Sequence, residues 1–140
     1  MSSPDREIVR SRIERMLFEV DAIERRLTPT LADFLAADSE PLRYELEHRM
    51  YIALQAMLDL ATHVAAAHGA RNLESYRDAL DALASSGVTE TELAESLAGV
   101  PGLRNALAHE YAALDHARVY EAMTEIGMLR RFAAAIWEAL

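Results

Sequence analysis

The stretch "PLRYELEHRMYIALQAMLDLATHVAAAH", residues 41–68, carries the fold of this 140-residue chain. Leu46, Met50, Ala53, Leu54, Met57, Ala61 and Val64 recur three and four residues apart, which predicts one buried stripe along a long helix. Pro41 suits a first helical turn, and Gly69 is placed to leave the last one in a left-handed conformation. Glu45 and Arg49, one turn apart, are expected to pair on the outer side.

Working outward in both directions, the remaining segments also read as helix. Residues 5–27 follow Pro4, carry Val9, Ile13, Leu17, Val20, Ile23 and Leu27 on one face, and stop at Thr28-Pro29, because a residue before proline avoids the helical region. A short helical piece is expected over residues 31–37. Ser75 is placed to cap a helix over residues 75–85, with Gly87 just past its end. Thr89 and Glu92 have the spacing of a capping box for another short helix ending near Gly99. "VPG" (100–102) reads as a turn, with a helix starting near Leu103. Asp115 is expected to cap a last helix over residues 116–139 whose inner face includes Tyr120, Met123, Ile126, Leu129 or Arg130, Ala133 and Trp137. No alternating strand pattern, internal repeat or low-complexity linker is found. The expectation is one all-α domain over residues 1–140, an antiparallel four-helix bundle with short accessory helices.

Composition narrows the chemistry. The chain has no cysteine, which excludes thiolate chemistry and cysteine-based zinc sites. No run of about 18 apolar residues is read as a membrane span, and the start lacks the apolar core of a secretory signal, so a cytoplasmic protein without a membrane role is expected. The formal net charge is −9, and every basic residue is arginine. That acidity argues against broad nonspecific nucleic-acid binding, but not against a small site carrying a few arginines.

One such site is suggested by "RNALAHEY", residues 104–111. Asn105 and His109 are four apart and share a helix face; Arg104 and Tyr111 are seven apart and share a neighbouring one. With Pro101 and Gly102 ahead of it, Arg104 is expected in the first turn, where free N–H groups favour a phosphate. A histidine can move a proton and an arginine can hold phosphate. Without a metal or other cofactor, this set suits cleavage of RNA, which carries its own 2′-OH nucleophile as DNA does not. One histidine is meagre for two proton transfers; a homodimer would supply the second. On these residues alone, a surface or interface role is the commoner outcome for such a set.

The order and spacing nevertheless resemble the R-x4-H-x-Y signature of the HEPN superfamily, in the form of HepT-type toxins. Arg104, Asn105, His109 and Tyr111 match it; Leu103 and Ala108 depart from the residues common beside it. Further segments are also similar: "YIALQAMLDLATHVAAAHG" (51–69) with Asp59 and His63, "LESYRDAL" (73–80) and "LDHARVYEAM" (114–123). The resemblance implies a metal-independent endoribonuclease toxin that acts as a homodimer, with tRNA as its substrate by analogy. It also implies an MntA-like nucleotidyltransferase antitoxin that transfers AMP from ATP to Tyr111. The alternatives are a non-catalytic HEPN module that binds a nucleotide or a nucleotidyltransferase, and a purely structural helical protein. Asp59 and His63, four apart, are read as a hydrogen-bonded pair or groove lining rather than as metal ligands. His48, His68 and His116 are read as solvent-facing, Tyr44, Tyr51 and Tyr76 as packing residues, and Arg6, Arg10, Arg12 and Arg15 as a solvated face.

Overall fold

In the computed structural model, residues 3–109 and 111–140 are described, without the side chains of residues 3–5 and 111. The chain forms α1 (Ser3–Arg26), α2 (Leu31–Leu35), a 3-10 turn (Ala37–Ser39), α3 (Glu40–Ala67), α4 (Tyr76–Ser85), α5 (Thr91–Leu97), α6 (Val100–His109), a second 3-10 turn (Tyr111–Ala113), α7 (His116–Thr124) and α8 (Met128–Glu138). The fold is all-α.

The long helix α3 is the axis. All seven residues of its expected stripe are buried, and so are Leu58, Leu60 and Ala65 on adjoining faces, because α1, α4 and α6 pack around it. Trimming Met57 or Leu54 to alanine would cost about 2–5 kcal/mol. Ala37–Ala67 is long and apolar enough to cross a membrane by length and composition alone, but half of its most apolar window is buried inside the bundle, as befits a core helix.

Helix α1 runs antiparallel to α3, since Arg26 pairs with Glu45 and Glu19 with Arg49. Its core residues include Val9, Val20 and Ile23, joined by Met16, whereas Ile13, Leu17 and Leu27 are only partly buried. Glu19 is 2% exposed and is held by Arg49 at 3.0 Å. The expected Glu45–Arg49 pair is therefore part of a network linking both helices. Hydrogen bonds from Arg26 and then Arg49 hold the Glu45 carboxyl below its usual range, and bonds to Glu19 and Glu45 raise Arg49 above its own.

Local punctuation explains most of the ends. Ser75 and Asp115 accept from the backbone N–H of Asp78 and Arg118 as N-caps. Gly69 has φ +92°, and Ala70 N–H reaches back to the Ala65 carbonyl, closing α3 in a left-handed turn.

Three expectations fail locally. Thr89 does not cap α5: the N-cap is Glu90, with no side-chain bond. Gly87, at φ +81°, turns the chain so that Val88 and Thr89 both donate to the Leu83 carbonyl, which draws Thr89 into the interior. The segment "VPG" is not a turn. It is the start of α6, with Leu103 N–H bonded to the Gly99 carbonyl and Pro101 in the first turn, where its missing N–H costs nothing. The last helix is broken over residues 125–127, where tight bonds run from Ile126 to Met123 and from Met128 to Glu125. That tightening advances the inner face to Phe132 and Ile136, leaving Trp137 exposed beneath Arg6.

Candidate functional site

Arg104 lies in the second turn of α6, not the first, so the free N–H groups of the helix end are not beside it. Side chains of three helices orient it instead. Its Nε donates to Gln55 Oε1 of α3 at 2.7 Å, and Nη1 donates to Asn105 Oδ1 at 2.8 Å. The guanidinium lies 5.8 Å from the Tyr51 ring centroid and 5.7 Å from that of Tyr76 on α4, within cation–π range. Gln55 is fixed in turn, because its Nε2 donates to Tyr76 Oη at 2.9 Å and to Asp59 Oδ1 at 3.0 Å.

The consequence is electrostatic. Every hydrogen-bond and ring partner of Arg104 among the described residues is neutral, in a chain of net charge −9. Arg49, by contrast, is matched by two carboxylates. A half-buried guanidinium whose described partners are neutral keeps its charge available for an incoming anion.

His109 ends α6, is exposed, and opens onto a groove of about 540 Å³ between α3 and α6. Tyr44, Glu47, His48, Tyr51, Leu107 and Ala108 also line it. Asn105 lines a different groove, of about 410 Å³, beside Tyr76, Arg77 and Pro101. Arg104 and Asn105 are thus joined directly, while His109 reaches the arginine's surroundings through Tyr51, which lines its groove and faces the guanidinium. Asp59 enters the network through Gln55; His63, one turn along α3, is partly buried. The Tyr111 side chain lies outside the described residues, although its backbone starts the turn directly after α6. No group of three or more His, Asp or Glu side chains placed to hold a metal occurs among the described residues.

Two features escape sequence reasoning. Gln55 carries no motif that names it: besides Asp59 four residues on, its partners are 21 and 49 residues away. Glu47, only 1% exposed, meets His116 Nδ1 at 2.6 Å, so His116 is a partner of α3 and not a solvent-facing side chain. The pair joins the start of α7 to the groove that His109 lines. Tyr44, read as a packing residue, is 48% exposed, whereas Tyr51 and Tyr76 do pack against the core.

A family model described as "Ribonuclease HepT-like" matches residues 13–136. A search of curated proteins finds no significant match. Among solved structures, a mutant of the MntA–HpeT toxin–antitoxin superposes with TM-score 0.80 at 18% identity, over 92% of this chain and 97% of that one. A toxin–antitoxin with AMP-PNP gives 0.72 at 20% identity, over 97% and 99%. A cytosolic protein of unknown function from Bacillus subtilis, YutE, gives 0.68 at 23% identity, over 91% and 87%. At these identities the structural likeness establishes the fold alone.

Proposed function

The chain belongs to the HepT-like ribonuclease family, and from that membership we propose that it is the endoribonuclease toxin of a toxin–antitoxin system, acting on RNA without a metal. The observation that carries the reading is Arg104: a guanidinium pre-oriented by Gln55, Asn105 and two tyrosine rings, with no carboxylate paired to it among the described residues. Such a group binds a phosphate and stabilises the charge that develops on it.

In this reading His109 takes the proton of a 2′-OH, and O2′ attacks the adjacent phosphorus. The P–O5′ bond breaks, and O5′ receives a proton from the His109 of a second copy in a homodimer. The products are a 2′,3′-cyclic phosphate and a 5′-hydroxyl end. Asn105 positions Arg104. DNA lacks the nucleophile and is not a substrate; tRNA is the proposed RNA by family analogy. A cytoplasmic location is in keeping with the cytosolic relative and with such a substrate.

The proposed partner is an MntA-like nucleotidyltransferase, in line with the toxin–antitoxin structures of the same fold. It would transfer AMP from ATP to the Tyr111 hydroxyl, releasing pyrophosphate. A phosphate there would compete with RNA for Arg104. Expression of the chain alone should arrest growth and fragment RNA, and Arg104→Ala or His109→Ala should abolish both; a double variant as toxic as the parent would overturn the reading. Mass spectrometry after incubation with the antitoxin and ATP should find AMP on Tyr111, and modification elsewhere would refute that part.

The second reading, a non-catalytic HEPN module, is favoured by the net charge of −9, which disfavours a polyanion. Partner binding with no cleavage of any RNA by the purified chain would select it.

A further inference from the structure

Three residues on the outward side of α3, Tyr44, His48 and Tyr51, succeed one another at four- and three-residue steps, and all line the His109 groove. Tyr44 and His48 are exposed. The His48 ring lies 6.4 Å from the Tyr51 ring at 24°, in a stacked arrangement, and the Arg104 guanidinium faces the same Tyr51 ring at 5.8 Å. A series of planar groups therefore leads along the groove to the anion-binding arginine. Among the described residues, Leu107, Ala108 and His109 of α6 line the same open groove of about 540 Å³.

We infer that this groove is a nucleobase-stacking subsite, holding an unpaired base of single-stranded RNA next to the phosphate at Arg104. Flat aromatic faces beside a cation are the surfaces on which splayed-out bases stack, whereas a paired base within a duplex presents no free face to them. The charge balance points the same way. A chain of net charge −9 gains little from long-range attraction to phosphate, so the arginine needs support from contacts that do not depend on charge. The choice of RNA as the source of the base rests on the ribonuclease reading; the stacking surface itself does not.

The experiment uses the full-length chain and a short single-stranded RNA, made uncleavable by 2′-O-methyl groups and carrying 2-aminopurine. Its fluorescence should be quenched on binding. Tyr44→Ala with His48→Ala should relieve the quenching and weaken binding about tenfold for each ring removed, while Tyr44→Phe retains both. Both side chains lie at the surface, and a parallel thermal melt checks that the double variant is folded. Unchanged quenching in that variant would overturn the inference. So would quenching by 2-aminopurine riboside monophosphate but not by the RNA, or variants that lose only nucleotidyltransferase capture. Because the probe cannot be cleaved, quenching without ribonuclease activity on natural RNA would defeat the enzyme reading and leave the subsite standing. Cleavage without quenching would do the reverse.

Discussion

Replacing Arg104 by lysine keeps the charge and removes the fork, and the structure gives the size of the effect. The arginine commits Nε to Gln55 at 2.7 Å and one Nη1 hydrogen to Asn105 at 2.8 Å, which leaves the outer edge of the guanidinium for a phosphate. A lysine ammonium has fewer donors and no fixed geometry. Turned inward, it satisfies Gln55 and leaves the phosphate short of a donor; turned outward, it strands the Gln55 carbonyl. Either way one charge-assisted hydrogen bond is lost, about 1.5–3 kcal/mol. On that basis kcat/KM for a synthetic RNA should fall about 10- to 150-fold. The fold should weaken far less, by about 1 kcal/mol, or a few degrees in Tm. Initial rates at fixed pH, with a parallel thermal melt, measure both. A variant within about threefold of wild type would refute the argument, because Arg104 would then act as a point charge and its network of neutral partners would be incidental.

Two further outcomes test the frame that holds the site. Arg49→Met leaves Glu19, 2% exposed, with only Arg15 at 3.8 Å, so calorimetry should find Tm lower by about 5–10 °C, a loss of roughly 2–3 kcal/mol once the 28% exposure of Arg49 is discounted; a fall under about 2 °C would contradict this. Hydrogen bonds from Arg26 and then Arg49 hold the folded pKa of Glu45 below its ordinary value, so the stability it contributes is present above that ordinary value and disappears as pH falls through the lowered folded one. Wild type should accordingly lose its small advantage over Glu45→Gln in melts taken from neutral to acid pH, and a constant difference would refute the linkage.

Sequence was informative where structure is set by near neighbours. The α3 stripe, the Ser75 and Asp115 caps and the left-handed Gly69 all depend on residues within a few positions of one another. It misled where two local signals compete. Pro101 and Gly102 read as a turn, although proline is equally at home in a first helical turn, and that moved Arg104 one turn along its helix. Thr89 had the right spacing for a cap, but the turn at Gly87 buried it first. Of the expected site residues, Arg104 and Asn105 meet directly. Their support was invisible, because Gln55 to Arg104 and Glu47 to His116 span 49 and 69 residues with no spacing rule to find them.

The dependence of Arg104 on side chains from α3 and α4 bears on genetics. If the chain is toxic, a growth selection for inactive alleles will not return the signature residues alone. Substitutions at Ala79 or Leu83 of α4 or at Met57 of α3, all buried in the core, would loosen the surroundings of the arginine and rescue the cell as well. The mutational target for disarming the protein is then nearly as wide as its core, and a host could escape it by many routes that leave the "RNALAHEY" letters intact.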